Sequence, residues 1–364
     1  MSKRRIGILT GGGDCPGLNA VIRAVVKTAA TQFDMEVVGF HGSYRGILDE
    51  KITQLTYDAV SGILTRGGTI LGTNNKDRLF GVSYGNAKTE TDNPELQKAR
   101  SVLQKHRLDG IIVVGGDGTL TVASHLLAAG IPIIGIPKTI DNDVQYTETT
   151  VGFDTAVTIA TEAIDRLHST AESHHRAMVV EVMGRTAGWI ALTAGIAGGG
   201  DVVLLPEIPY SLDEICRCIK QRYASGRQFS IIVAAEGAHE VGGTTVTSAS
   251  NSAAHPTRLG GIGALLASQI EAATGIESRA TVLGHLQRGG TPTWEDRLLG
   301  TMYGQHAAAL AAAGQWGKVV VMQNRNVNEV PLAQIANAPR RVDPNHPQVK
   351  VARAVGMSLG AAVE

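Results

Sequence analysis

Residues 110–119 read Gly-Ile-Ile-Val-Val-Gly-Gly-Asp-Gly-Thr, an apolar run that stops abruptly at two glycines and an acid and is followed by the helical pattern Leu120–Ala129. An Ile/Val run without alternation predicts a strand buried on both faces. The same order recurs along the chain. Further apolar runs are Arg5–Thr10, Ile131–Ile136, Ala177–Val182, Val202–Leu205, Ser230–Ala234, Ala280–Leu283 and Val319–Met322, and helical patterns cover Leu18–Thr31, Thr155–Thr170 and Ile262–Ala273. Repeated β-then-α order predicts an α/β protein with doubly wound, mainly parallel sheets. A chain of 364 residues with this many strands exceeds one comfortable sheet, so two such lobes are expected, with an active-site cleft between them.

Composition narrows the function classes. Lys+Arg and Asp+Glu both number 33, so no net field favours nucleic acid or anionic lipid, and neither is expected as a partner. The three cysteines, Cys15, Cys216 and Cys218, read as thiols of a reducing compartment. Met1–Thr10 is too short an apolar start for a signal segment, and no run approaches the ~18 apolar residues of a membrane helix. A soluble cytoplasmic protein is expected. Gly237–Gly261 reads as a polar surface excursion, Asn324–Pro347 as an irregular Asn- and Pro-containing stretch, and no repeat of a solenoid or propeller is visible.

Five segments carry chemistry. Gly11-Gly-Gly-Asp-Cys-Pro-Gly17 places bare amides and a helix start after the first strand, where an anion can dock. Gly115-Gly-Asp-Gly-Thr119 repeats the arrangement with Asp117 at its tip, a carboxylate suited to hydrated Mg²⁺ beside phosphates; an Asp that only caps the helix is the plainer alternative. The loop is neither a Walker A sequence nor a dinucleotide fingerprint. Ile136-Pro-Lys-Thr-Ile-Asp-Asn-Asp143 sets two carboxylates at i and i+2 past a strand, which fits phosphoryl transfer to an alcohol: one acid takes the hydroxyl proton while another serves the metal. Val182-Met-Gly-Arg185 and Leu283-Gly-His-Leu-Gln-Arg-Gly-Gly290 each place an Arg beyond a strand, and arginine forks suit phosphate monoesters.

Thr10–Asn19, Gly115–Thr119, Pro137–Asp143, Val182–Arg185 and Ala280–Pro292, taken in order, make the chain strongly resemble the phosphofructokinase family over most of its length. The resemblance implies transfer of a phosphoryl group from ATP, with Mg²⁺, to the 1-hydroxyl of fructose 6-phosphate, giving fructose 1,6-bisphosphate in glycolysis. It implies Asp141 as general base, Thr139, Asp143 and Arg185 beside the reacting groups, and Asp117 at the metal. Gly13, Tyr44, Gly116, Asp117, Gly118 and Thr119 match nucleotide binders, and Met183, Gly184, Glu236, His285 and Arg288 match sugar-phosphate binders. Arg176 and Arg279 match arginines that reach the sugar pocket from a neighbouring subunit, implying a homo-oligomer, a dimer or tetramer, with shared sites. The implied lobes are 1–152 with 287–337 for the phosphoryl donor and 153–286 with 338–364 for the sugar phosphate.

Donor choice turns on Gly118 and Lys138. Pyrophosphate-using relatives commonly carry Asp at the first position, where it crowds a nucleotide α-phosphate, while Lys at the second resembles pyrophosphate users and a mixed subgroup. Gly118 with Lys138 resembles the mixed subgroup that uses ATP, and pyrophosphate or ADP are the alternatives. Two positions depart from the bacterial pattern: Asn75 replaces a phosphate-contacting Arg, with Lys76 or Arg78 as substitutes, and Val122 replaces a Gly near the adenine. Arg23, Lys27, Asp201 and Arg227 match the bacterial effector site, but Tyr57, His168, Ser225 and Phe229 thin its charge, so its effectors are not expected to carry over. NAD kinases share Gly-Gly-Asp-Gly-Thr without the other motifs, and a non-catalytic regulatory subunit would have lost Asp117 or Asp141.

Overall fold

The computed structural model describes residues 3–74, 80, 93–252, 255–335 and 339–361, with the side chains of 248–252 and 255–258 left aside. The chain runs through β1 (Arg5–Thr10), α1 (Leu18–Gln32), β2 (Glu36–Phe40), α2 (Tyr44–Leu48), β3 (Ile52–Leu55), α3 (Pro94–Lys105), β4 (Ile111–Gly115), α4 (Asp117–Ala128), β5 (Ile133–Pro137) and α5 (Phe153–His174). It continues through β6 (Ala177–Val182), α6 (Trp189–Ala197), β7 (Val202–Leu204), α7 (Leu212–Ala224), β8 (Ser230–Ala235), β9 (Thr247–Ser252), β10 (His255–Leu259), α8 (Ile262–Thr274) and β11 (Ser278–Val282). A 3₁₀ turn, Gly284–Arg288, precedes α9 (Trp294–Ala312), β12 (Lys318–Gln323), β13 (Asn326–Pro331) and α10 (Pro347–Ala354). Two compact units result: Met1–Asp154 with Arg288–Pro339, and Thr155–Gln287 with Arg340–Glu364.

In the first unit the described strands form one sheet in the order β13-β12-β5-β4-β1-β2-β3. Its centre is parallel, and only the edge strands β3 and β13 run antiparallel. Ile111, Ile112, Val113 and Val114 of β4 are all fully buried, as a strand covered on both faces requires, and each such side chain contributes roughly 1.5–3 kcal/mol on burial. Helix α9 is capped by Thr293, whose Oγ1 accepts from Asp296 N at 3.3 Å, and Asp296 in turn accepts from Gly152 N at 2.7 Å.

In the second unit the order is β11-β6-β8-β7, all parallel. Glu181 of β6 is buried, and its carboxylate accepts from Gly261 N at 3.1 Å and Gly263 N at 2.8 Å at the start of α8.

Three local expectations need correction. The apolar run at Ala280–Leu283 is not buried on both faces: β11 is the sheet edge, and Val282 is 55% exposed. The excursion at 237–261 contains an antiparallel hairpin, β9 with β10. The stretch 324–347 holds β13, paired along its whole length with β12. No helix among the described residues is long and apolar enough to cross a membrane.

Candidate active site

In the first unit, β1, β4 and β5 are adjacent and parallel, with Thr10 opposite Val114 and Gly115 opposite Pro137. Their following loops therefore emerge side by side at the carboxyl edge of the sheet, the place where open α/β sheets bind ligands. Gly11–Gly17, Gly116–Thr119 and Lys138–Asp143 are those loops. Helix α4 begins at Asp117 behind Gly116, which supplies no side-chain cap, so its first amides point outward beside Gly118. The turn is tight. A Cβ on Gly115 would lie 2.3 Å from Thr119 Cβ, so glycine is required there. Tyr44 Oη donates to the Thr119 carbonyl at 2.8 Å and braces that turn from α2.

The third loop is buried throughout, with Lys138 2%, Thr139 9%, Asp141 3% and Asp143 9% exposed. Thr139 Oγ1 accepts from Asp141 N at 3.1 Å, the Thr139 carbonyl accepts from Thr150 Oγ1 at 2.6 Å, and Asn142, at φ +52°, donates to the Glu148 carbonyl at 3.1 Å. Such fixing holds Asp141 and Asp143 in place before any ligand arrives.

Lys138 bridges two of the loops: its backbone N donates to the Gly115 carbonyl at 3.0 Å, and its Nζ donates to the Gly13 carbonyl. Burial pushes the Lys138 ammonium below its ordinary range. Burial also drives the Cys15 thiol up to about 12, so at neutral pH it is uncharged and offers Lys138 no counter-charge. Arg288, at the end of the 3₁₀ turn, packs against the Gly11–Gly17 loop: its Nη1 donates to the Asp14 carbonyl at 3.2 Å, and a Cβ on Gly13 would come within 2.8 Å of it. Asn75, Lys76 and Arg78 lie outside the described residues. Val122 packs against the hydrophobic core of this unit.

In the second unit, β11, β6 and β8 are neighbours, so Gly284-His285, Met183–Arg185 and Glu236 follow adjacent strand ends. Glu236 Oε1 accepts from Arg185 N at 3.0 Å, and buried Gln287 Oε1 accepts from Met183 N at 2.8 Å. Gly184 and Arg185 sit at φ +142° and +53°, and the exposed Arg185 is thus held in a conformation that costs free energy outside glycine. Gly237 lies directly under it, where a Cβ would be 2.0 Å from the Arg185 carbonyl oxygen. His285 is exposed on the 3₁₀ turn. It belongs to the second unit while Arg288 belongs to the first.

Arg176 and Arg279 come together, but at the other end of this sheet. Both reach Glu277 Oε1, at 2.8 and 2.5 Å, and Arg279 also meets Glu271 at 3.4 Å. Arg279 pairs in register with Met178, five residues before Met183, which is roughly 17 Å of strand. Gln287, Glu207 and Gly237 were missed as functional candidates by sequence reasoning. Gln287 stands inside a quoted motif, but only its burial against the Met183 amide reveals its role.

The matched effector residues are engaged locally. In the first unit Lys27 Nζ stands 3.3 Å from the Tyr57 ring centroid. In the second, Asp201 accepts from Ile231 N at 2.9 Å and pairs with Arg222 at 2.7 Å, while His168 holds the Gly198 carbonyl at 2.7 Å and meets Phe229 edge-on. Burial raises the Asp201 carboxyl above its ordinary range, against the pull of the Ile231 amide and Arg222.

Two α/β units with Gly-rich, acid-bearing turns at strand ends are suited to phosphate-bearing ligands, and sequence comparison identifies the family. A sequence model of the phosphofructokinase family matches residues 5–311, and the chain belongs to that family. It is 47% identical over 364 residues to "ATP-dependent 6-phosphofructokinase 2" of Clostridium perfringens, covering 98% of each chain. It is 48% identical over 359 residues to "ATP-dependent 6-phosphofructokinase" of Chloroflexus aggregans, again with 98% of each covered. Among solved structures, phosphofructokinase from Saccharomyces cerevisiae superposes with a TM-score of 0.76 at 29% identity, over 97% of this chain and 46% of that longer one. A pyrophosphate-dependent phosphofructokinase from Nitrosospira multiformis shares the fold, with a TM-score of 0.79 at 20% identity over 94% of this chain and 87% of that one.

Proposed function

We infer that the protein transfers the γ-phosphoryl group of ATP to the 1-hydroxyl of fructose 6-phosphate, yielding fructose 1,6-bisphosphate and ADP. The observation that carries this reading is the Lys138–Asp143 loop, buried, internally hydrogen-bonded and placed next to an uncapped helix start. Asp141 accepts the hydroxyl proton as the oxygen attacks phosphorus, and the proton ends on its carboxylate. The amides at the start of α4 and of the Gly11–Gly17 loop receive the donor phosphates. Lys138 adds positive charge. Met183–Arg185, Glu236, His285 and Arg288 orient the sugar phosphate, with Arg185 also beside the transferred group.

The donor set fits Mg²⁺. Asp117 and Asp143 offer hard carboxylate oxygens on neighbouring loops, and this cation is held by one or two carboxylates together with substrate phosphates and water. When bound, it neutralises charge on the donor phosphates. Arg176 and Arg279 serve a neighbouring chain's sugar pocket in a homo-oligomer, because their end of β6 and β11 lies too far along the strands from their own Met183–Arg185. Their pairing with Glu277 is exchanged for a phosphate on assembly.

Lys138 supports a second reading, in which pyrophosphate is the donor, since its ammonium at the Gly13 loop serves either polyphosphate. Coupled assays with fructose 6-phosphate, Mg²⁺ and, separately, ATP, ADP, GTP and pyrophosphate discriminate the two. Preferential turnover of ATP is expected; preferential turnover of pyrophosphate would replace this reading with the second.

A further inference from the structure

Three side chains hold the loop after β6 by its amides. Gln287 takes Met183 N, Glu236 takes Arg185 N, and Glu207 takes Gly188 N with both carboxylate oxygens, at 3.0 and 3.1 Å. Glu207 does more than the other two. Its Oε1 also accepts from Val342 N at 2.8 Å, and Val342 lies in the C-terminal run that completes the second unit. The run is seated on Trp189, the residue after Gly188: Trp189 Nε1 donates to the Arg340 carbonyl at 3.1 Å, the Arg340 guanidinium lies 4.0 Å from the ring centroid, and His346 meets the ring edge-on at 5.0 Å. Space at the junction is tight, since a Cβ on Gly188 would fall 2.9 Å from Glu207 Oε2.

We propose that Glu207 is a positioning residue for the sugar phosphate, coupling the Met183–Gly188 loop to the seating of residues 340–346. This rests on the proposed assignment of Met183–Arg185 to the sugar. The physical basis is the backbone at Gly184 and Arg185, which keeps its positive φ only because its surroundings over-determine it. A carboxylate accepting from two separate segments is a strong, charge-assisted constraint. Removing it lets the loop populate relaxed conformations, and the apparent affinity for the sugar then falls by the fraction that stays competent. Saturating sugar restores the competent loop, and with it the place of Arg185 beside the transferred group, so kcat at saturation is largely retained.

The test uses the full-length protein and the variants Glu207→Ala, Glu207→Gln, Arg340→Ala and the double variant Glu207→Gln/Arg340→Ala. Glutamine keeps the size and one acceptor but turns an N–H toward an amide that needs an acceptor. KM for fructose 6-phosphate should rise roughly tenfold in Glu207→Ala and less in Glu207→Gln. KM for ATP should stay within about twofold and kcat at saturating sugar within about threefold. Arg340→Ala should move the same constant in the same direction, and the double variant should show less than the product of the single effects, because both act through one junction. Unchanged sugar KM in folded variants, or a parallel loss of kcat and both affinities that tracks lower thermal stability, overturns the proposal. Should Glu207→Ala fail to fold, Glu207→Gln and Arg340→Ala decide it alone. An original chain without any fructose 6-phosphate-dependent turnover overturns the functional reading itself, an outcome distinct from an active original with unaffected variants.

Discussion

Gly118→Asp separates donor recognition from folding. Gly118 is the second residue of α4, half-buried at a helix start that no side chain caps. For the fold the change is mild or favourable: glycine within a helix costs about 1 kcal/mol relative to alanine, and an acid in the first turn gains about 0.3–1 kcal/mol from the helix dipole. For a nucleotide it is severe. A carboxylate about 4 Å from an α-phosphate charge costs about 4 kcal/mol at an effective dielectric of 20. If bound cation and water halve that, about 2 kcal/mol remains, so kcat/KM for ATP should fall between about 30- and 1,000-fold. Pyrophosphate lacks the α-position group and escapes the clash, so its use should persist or emerge, supported by Lys138. The assay is kcat/KM for ATP and for pyrophosphate at saturating fructose 6-phosphate and fixed free Mg²⁺, with thermal unfolding of both proteins. An ATP value unchanged in a folded Gly118→Asp protein would refute the assignment of donor choice to this position.

Other outcomes follow from the same geometry. Chains carrying Arg279→Ala, with a raised KM for fructose 6-phosphate, and chains carrying Asp141→Asn, nearly inactive alone, should regain some activity at subsaturating sugar when mixed oligomers are formed, since some shared sites then unite two intact halves; strictly additive activity would mean that each chain builds its own site. Gly237→Ala places a methyl where 2.0 Å separates it from the Arg185 carbonyl, so it should raise KM for fructose 6-phosphate more than KM for ATP, and equal effects on both would contradict the close packing under Arg185. Cys15, fully buried with its thiol driven up to about 12, should resist alkylation at pH 8 in the native protein and react once it is unfolded, as peptide mass mapping can read; rapid native labelling would contradict this burial.

The legible parts of the fold were those decided by local pattern. The Ile-Ile-Val-Val run at 111–114 and its Gly-Gly-Asp-Gly-Thr turn announce a buried strand feeding a helix, and the structure has β4 and α4 there. Position within a sheet is not local. Ala280–Leu283 has the composition of an interior strand, yet it lies at an edge, with β6 as its one neighbour in the second sheet. In the β9–β10 hairpin, β9 is Thr-Ser-Ala-Ser-Asn-Ser and β10 is His-Pro-Thr-Arg-Leu, which together carry almost no periodic apolar signal, so the segment reads as a polar surface excursion. Within the candidate site, motif spacing singled out Asp117, Asp141 and Arg185. Two residues that hold the loop around Arg185 were hidden. Gln287 and Glu207 act on backbone amides about 104 and 19 residues away in sequence, and nothing in their own neighbourhoods marks those partners.

Asp141→Asn is the most direct measurement of the central claim. Asparagine preserves size and much of the hydrogen bonding while removing the proton acceptor, so only the chemical step should suffer. With fructose 6-phosphate, ATP and Mg²⁺, kcat should drop about 10²–10⁴-fold while both KM values change little. A variant that turns over at close to the original kcat would contradict the assignment of Asp141 as the base and, with it, this account of how the protein phosphorylates its sugar.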